Sequence, residues 1–517
     1  MKTGVIHWGI TLFAIANIHT FAATLYVDAN GTNPDAPYAN WNTAATNIQD
    51  AVDASSGGDL VLVSNGVYQT GGRVVYDSLT NRLVINKAIT VESVNGPAVT
   101  LIVGNSILGS SAIRCVFMGN NAVLAGFTVT NGGTLNSGDF FLDESGGGIW
   151  ATNSDTGVIV SNCVLTGNIA EGIGGGAYDV SICTSSIVHN SAFEGGAVGY
   201  DGTFTNFPIV TNCLIANNSA SAYGGGAFGA ELENCIVIQN VASWGGGVEA
   251  GSGIYGCLIA SNTAAQFPGG VDGFMKIQNC TIVDNMAYQG VGGVDGGGPI
   301  FNSIIYYNTV VTNGVADYNG GTAIYCCTTI TGNAIGCITN EPMFVNLANG
   351  DFRLASNSPC INGGEYVGSD LGTDLDGNPR IVDGFVDMGA YEYQTPDYIL
   401  PYYWAQEYGL SVNDGTVIDP DENGMNYWET AVAGLNPTNA ASVLRVSVSN
   451  SVSGAVVTWP NVAYKVYDLQ RSTNLLANPA FIPIYTNFPV PAGTPLIFRD
   501  NITTNGGTYF YRVGVLH

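Results

Sequence analysis

The sequence predicts an all-β protein: a right-handed parallel β-helix, followed by a small calcium-loop-like segment and a C-terminal β-sandwich. Three observations lead there. One motif recurs seven times in a single register between Cys163 and Asn308. The copies run on into glycine clusters, and the chain holds 70 glycines. Only 10% of its 517 residues are charged, while 46% are apolar. Disorder needs the opposite balance, so the chain folds. A repetitive β structure, in which stacked neutral side chains replace salt bridges, accounts for the glycine and the low charge together.

The first 22 residues have the layout of a secretory leader. Lys2 supplies a positive end, Val5 to Ile18 is mostly apolar, and Thr20 to Ala22 offers small residues at the cleavage positions. The apolar run is too short for a stable membrane anchor, and no later stretch reaches the length of a transmembrane helix. The expected location is secreted or cell-surface, associated with an outer membrane. Residues 23–80 should hold an opening strand, Tyr26-Val-Asp28, and a short capping helix over Thr46 to Ala54 with Ile48 and Val52 inward.

The parallel β-helix is expected over 81–340. Its clearest copies are Cys163-Val-Leu-Thr-Gly-Asn168, Ser185-Ser-Ile-Val-His-Asn190, Cys213-Leu-Ile-Ala-Asn-Asn218, Cys235-Ile-Val-Ile-Gln-Asn240, Cys257-Leu-Ile-Ala-Ser-Asn262, Cys280-Thr-Ile-Val-Asp-Asn285 and Ser303-Ile-Ile-Tyr-Tyr-Asn308. The closing asparagines are 22, 28, 22, 22, 23 and 23 residues apart, the 28 reflecting an insertion near Asp201 to Pro208. One copy cannot bury its apolar side alone, but a stack can. Neighbouring strands then sit about 4.8 Å apart and like residues form columns. The asparagines fit left-handed turn positions whose amides bond from coil to coil. The cysteines fit inward, inert free thiols, because parallel in-register side chains do not favour a disulfide dihedral. Val164, Leu214, Ile236, Leu258 and Ile304, each next to that column, are also aliphatic, although strict alternation places them outside. A covering loop or partner is implied over that face.

The Gly-Gly-Ala/Val element followed by aliphatic-x-x-Asn resembles the repeats of the polymorphic outer-membrane proteins of chlamydiae, and more widely the pectin-lyase-like β-helix superfamily. The resemblance implies a leader, an N-terminal cap and then the solenoid. It departs in one respect: no long membrane β-barrel follows residue 393. Residues 341–395 resemble the end-of-helix module called choice-of-anchor Q. The matching residues are Glu341-Pro-Met-Phe344, Gly350-Asp-Phe-Arg-Leu354, Ser358-Pro-Cys-Ile-Asn362, Asp374-Leu-Asp-Gly-Asn-Pro-Arg380 and Val386-Asp-Met-Gly-Ala-Tyr-Glu-Tyr393. That resemblance implies a surface location and no particular reaction, and the segment is expected to cap the helix.

A linker spans 396–440. Within it Asp419-Pro-Asp421-Glu-Asn423-Gly424 resembles a single calcium loop, with oxygen ligands alternating around a glycine turn. Glu429 falls one place before the usual bidentate position, so the segment either binds Ca²⁺ through Asp419, Asp421, Asn423 and Glu429 or is only a turn. From 441 to 517, alternation in Val443–Ser449, Ala455–Trp459, Tyr464–Tyr467 and Tyr509–Val513 predicts strands of a fibronectin-like β-sandwich.

Chemistry concentrates on two columns. Two positions after the last glycine of each cluster come Tyr178, Val198, Phe228, Glu249, Asp272 and Asp295. The last three are carboxylates on successive coils, close enough to raise one another's pKa, recruit a cation, or act as acid and base on a sugar; solvated outward side chains explain them equally. Three positions before that glycine come Ile173, Phe193, Tyr223, Trp244 and Phe267, an aromatic ladder that either stacks against sugar rings or simply holds the coils together. From Gly146 to Asn308 there is no Arg, one Lys (Lys276) and one His (His189), and the whole chain carries a net charge of −27. That excludes nucleic acid as a partner and disfavours a lyase, which must neutralise a uronate. Two functions remain. The first is an exported, non-catalytic adhesin or glycan-binding stack, with a polysaccharide or cell-surface glycan as partner and no required cofactor other than the Ca²⁺ candidate. The second is a glycoside hydrolase, less readily a lyase, acting on a neutral polysaccharide through Glu249, Asp272 and Asp295. The missing bases favour the first.

Overall fold

The structure, a computed structural model, describes residues 22–515 apart from 77, 153–156, 201–206, 250, 330–333, 366–371, 383–384, 395, 397, 419–423, 452–453, 463–464, 487–494 and 503–506. The leader-like residues 1–21 therefore lie outside the described residues, as do Asp419, Asp421 and Asn423 of the calcium-loop-like segment.

Chain order and strand pairing together give a parallel β-helix. Sheet 1 has 13 strands, from Thr24–Val27 to Ala334–Ile335; sheet 2 has 11, from Gly66–Tyr68 to Cys327–Thr328; sheet 3 has 11, from Arg73–Val74 to Tyr318–Asn319. A shorter sheet 4 of six strands runs from Ser191–Glu194 to Thr309–Val310. Each strand pairs with the equivalent strand one coil away, and every such pair in the coils is parallel except Arg73–Val74 with Thr80–Ile85. The opening strand Thr24–Val27 already belongs to sheet 1, and the helix Ile48–Ala54, capped by Asn47, packs Ile48 and Val52 into the core.

The repeat follows from what fits inside the coil. Leu165, Ile187, Ile215, Val237, Ile259, Ile282 and Ile305 form one inward column, register partner on register partner. Beside it Cys163, Cys213, Cys235, Cys257 and Cys280 are buried free thiols, and burial pushes Cys163 up to about 11, which keeps its thiol protonated and unreactive.

The asparagines line up as a buried ladder. Asn240 Oδ1 accepts from the backbone N–H of Asn218 (2.9 Å) and from its Nδ2 (3.0 Å), and Asn262 Oδ1 does the same for Asn240. The predicted left-handed backbone, however, falls one residue earlier: Gly167, His189, Asn217, Gln239, Ser261, Asp284 and Tyr307 have positive φ. The turn residue points out and the following Asn points in. Across the interior, a Cβ on Gly247 would meet the Gly270 carbonyl at 2.7 Å and Asn262 Nδ2 at 3.1 Å. Glycine cluster and asparagine are therefore one device, since the amide ladder occupies the space a side chain there would need.

The aliphatic outer column of sheet 2 is also explained. Leu258 and Ile304 share an apolar cluster with Phe352, Leu354, Cys360, Met388 and Tyr391, so these residues of the segment after the last coil lie along the flank of the later coils. Ala390 N–H donates to Thr281 Oγ1 (2.9 Å), Gly389 N–H to Asn302 O (2.8 Å), and Asn302 exchanges side-chain bonds with the backbone of Glu365. The segment expected as an end cap thus serves largely as a side cover. It does not reach the earlier coils, where Leu214 stays 36% exposed. Inside the cover, Arg380 meets Glu392 at 3.6 Å, while Asp387 accepts from the backbone amides of Asn362 and Tyr393.

At the C-terminus two three-stranded antiparallel sheets share Val457, Trp459, Tyr467 and Leu469 as a core. Their strands begin at Ser447 and Tyr467, later than alternation at Val443 and Tyr464 suggested. Lys465 joins this unit to the cover through a buried ion pair with Glu365 (2.8 Å).

Candidate functional site

The outward column of sheet 3 runs, partner to partner, Phe117, Trp150, Tyr178, Gly199, Phe228, Glu249, Asp272, Asp295 and Asn319. Gly199 takes the place expected of Val198, which instead points into the core. Ala197 stands there as the third member of the glycine cluster, so counting from the last glycine slipped by one.

The first part of this column is closed. Phe117 and Trp150 stack at 5.5 Å, Trp150 and Tyr178 at 6.3 Å, and Arg114 lies 5.0 Å from the Trp150 ring centre. Trp150 Nε1 donates to Phe141 O (2.9 Å) from the covering loop, and Trp150 and Tyr178 are each only 1% exposed. The open face starts at Phe228.

There the aromatic column meets the acidic one. Ile173, Glu194, Tyr223 and Trp244 are successive bridge partners. Glu194 occupies the place predicted for Phe193, because the strand Ser191–Glu194 is shorter by a bulge than Ser219–Tyr223. Phe193 turns out to solvent, 43% exposed. Counting back from the first glycine of each cluster would have found Glu194. Tyr223 and Trp244 stack at 5.1 Å and 29°, and Phe228 tilts against Tyr223 at 6.3 Å. Phe267 follows on the next coil, with its ring where a Cβ of Gly290 would be. Each ring of the Tyr223–Trp244 pair gives one face to the other.

The carboxylates differ in environment. Glu249 leans back over Gly245, where a Cβ would meet its Oε2 at 2.6 Å. Its Oε2 is buried with no other donor among the described residues, and its carboxyl interacts with that of Asp272, which requires one of the two to hold a proton. Burial and the Asp272 charge push Glu249 up to about 8; burial and Asp295 push Asp272 up to about 6. The pair shares a proton near neutrality. Asp295 is satisfied differently, accepting from Asn319 Nδ2 at 2.7 Å. Such a site can accept hydrogen bonds from hydroxyls and deliver or take one proton.

Among the described residues no three acidic, His or Cys side chains converge as a metal site. Glu429, expected as a calcium ligand, closes a capping box on the helix Tyr427–Val432, its Oε2 accepting from Asn426 N–H at 2.9 Å. No described helix is long and apolar enough to cross a membrane.

Comparison with protein families and with curated proteins finds no match. Among solved structures, the chain is similar to the crystal structure of pectate lyase Pel9A, with 16% identity and a TM-score of 0.46 over 72% of this chain and 97% of that one.

Proposed function

We propose that the open face of sheet 3 is a glycan-binding surface on an exported, cell-surface protein, and that its ligand is a neutral polysaccharide. What carries the reading is the placement of the stacked Tyr223–Trp244 pair beside Phe228 and the proton-sharing carboxyls Glu249 and Asp272. Sugar hydroxyls donate to the remaining lone pairs of these carboxyls, and sugar C–H faces pack on Trp244, Phe228 and Phe267. No Arg lies between Gly146 and Asn308, so a polyanionic glycan would meet an acidic face without counter-charge. The leader-like start and the likeness of the repeats and of residues 341–395 to polymorphic outer-membrane and choice-of-anchor Q modules support the location outside the cell.

A second reading, a glycoside hydrolase, is favoured by one observation: Glu249 is held up to about 8 and Asp272 to about 6, as a general acid requires. Against it, these two carboxyls share one proton, so they do not act as the separate acid and nucleophile or base that the reaction uses. The test is retention of neutral polysaccharides on the full chain with reducing-end release measured in parallel. Trp244→Ala should weaken retention by roughly 5- to 10-fold, the scale of one aromatic contact, and no reducing ends should appear. Release abolished by Asp272→Ala would establish the hydrolase instead. Failure to retain any neutral polysaccharide, or retention untouched by Trp244→Ala, would overturn both the surface and its assigned ligand.

A further inference from the structure

The C-terminal unit differs in charge from everything before it. Residues 441–517 hold five bases (Arg445, Lys465, Arg471, Arg499 and Arg512) and two acids (Asp468 and Asp500), a net charge of +3. The whole chain stands at −27, so residues 1–440 carry −30. Both aspartates are buried, Asp500 against Arg471 at 2.7 Å, and Lys465 pairs with Glu365. The exposed charges left on the unit are Arg445, Arg499 and Arg512, all positive.

Its exposed apolar side chains gather at one end. The strand Tyr467–Ser472 runs toward that end, where Ser472 pairs with Phe510 and Arg471 with Ile482. The other sheet finishes there too: Asp500 closes the strand Leu496–Asp500 and accepts from Arg471 Nη1 (2.7 Å) and the Tyr511 hydroxyl (2.8 Å). From these strand ends Leu475, Leu476, Ile482, Ile502 and Phe510 all reach water, Leu476 being 94% exposed. The turn that carries the leucines is hydrogen-bonded, Asn474 N–H donating to Ser472 Oγ (3.1 Å) and Asn474 Oδ1 accepting from Leu476 N–H (3.0 Å). Arg499 precedes Asp500 and Arg512 lies two residues after Phe510, so two of the three exposed arginines flank this apolar end.

We propose that this end of the C-terminal unit docks on an anionic lipid bilayer, its aliphatic side chains entering the boundary between headgroups and acyl chains and its arginines meeting the lipid phosphates. Single exposed apolar residues are ordinary on a protein surface, but five at one end beside unopposed positive charge mark an interaction site. A lipid surface answers both parts, since guanidinium groups suit phosphate oxygens and the acyl boundary takes the leucines. The acidic coils of a second copy would offer charge to the arginines. A bilayer also accepts a projecting apolar turn, without needing a groove shaped to fit it. The −30 of the remaining residues opposes the approach at long range, but at about 0.1 M salt charges more than about 10 Å away are largely screened. The end that touches the lipid therefore decides the binding.

The experiment sediments the full-length chain with vesicles of phosphatidylcholine alone, or with about one quarter phosphatidylglycerol, at about 0.1 M and about 0.5 M salt. The expected result is binding to the anionic vesicles at the lower salt, at least about fivefold weaker at the higher salt and on the neutral vesicles. The double variant Leu475→Ser, Leu476→Ser should bind about tenfold more weakly, and Arg499→Gln about fivefold. Urea midpoints matching the wild type show that both variants remain folded. No sedimentation with anionic vesicles overturns the proposal, as does equal binding to both kinds of vesicle or full binding by the leucine variant. Salt-dependent self-association without vesicles, lost in Arg499→Gln, would assign the basic end to a second copy and overturn it too. None of these results depends on what the open face binds.

Discussion

Asn240 tests the idea that the asparagine ladder holds the coils in register. Its side chain makes four bonds: Oδ1 accepts from Asn218 N (2.9 Å) and Nδ2 (3.0 Å), and Nδ2 donates to Ile215 O (3.0 Å) and Asn262 Oδ1 (3.0 Å). All four go in Asn240→Ala, but not every partner is orphaned. Asn218 Nδ2 keeps Ile187 O and Ala216 O, and Asn262 Oδ1 keeps the Asn240 backbone N–H. The groups left without a side-chain partner are the Asn218 N–H and one lone pair of Ile215 O. At roughly 1–3 kcal/mol for each of the two groups, plus about 1 kcal/mol for the space vacated, the loss should be about 3–7 kcal/mol. Asn240→Asp is the sharper variant. It keeps the acceptor but turns an oxygen toward Asn262 Oδ1 and Ile215 O, so it should destabilise strongly at neutral pH and less in acid, where the protonated carboxyl donates. Asp317 is the internal control. It ends the ladder by accepting from Asn308 N (3.0 Å) and Nδ2 (3.1 Å), with its other oxygen taking the Thr329 hydroxyl (2.6 Å). Asp317→Asn keeps the needed acceptor and should cost less than about 1 kcal/mol. Urea midpoints for the three variants at neutral and acid pH are the assay. An Asn240→Ala change under about 0.5 kcal/mol, the scale of an ordinary surface substitution, or an Asn240→Asp cost that ignores pH, would refute the reasoning.

The proton-sharing pair makes a linkage prediction. The folded values of Glu249 and Asp272, about 8 and about 6, lie above their ordinary 4.5 and 3.8. Their contribution to stability is therefore fully present below the unfolded values and is lost as pH rises through 6 and 8. Glu249→Gln should flatten that part of the stability–pH curve, and an unchanged slope in thermal unfolding between pH 5 and 9 would contradict the pairing. The glycine columns make another. Gly247→Ala forces a Cβ to within 2.7 Å of the Gly270 carbonyl and should cost about 1–3 kcal/mol or more by overpacking. Gly514→Ala meets nothing within 4 Å and should be near neutral by the same denaturation assay.

The solenoid was legible because its rules are local and repeated. An Asn that must bond to the next Asn, opposite a Gly that must make room for it, leaves the same spacing in each coil, so the register of Glu249, Asp272 and Asp295 could be counted from sequence. Counting failed where a coil departs from its neighbours by one residue: the bulge that puts Glu194 in place of Phe193, and Ala197 standing as a third glycine, which shifted Val198. The αL assignment failed for a different reason. Asn is common in left-handed turns, and that preference concealed that the repeated Asn is the buried partner while almost any residue, even Tyr307, takes the turn. The side cover could be inferred only as something missing, from Leu258 and Ile304, because its contacts with Thr281 span more than a hundred residues of chain.

The two covers also decide how the acidic column should be weighed. A stack of near-identical coils has no intrinsic reason for one position to change from Trp150 and Tyr178 to Glu249 and Asp272. The change follows solvent: the column is aromatic under the loop that carries Phe141 and becomes acidic on the open face beyond it. Asp295 needs no more explanation than that, since it stands on an open face and is paired with Asn319. Glu249 does. A carboxylate serving only to keep a face wet would extend into water, where it is fully hydrated, whereas Glu249 folds back over Gly245 and buries an oxygen. Holding a carboxyl there costs free energy, which the proton shared with Asp272 offsets only in part. The functional argument therefore rests on Glu249 and the rings next to it, and not on the count of carboxylates.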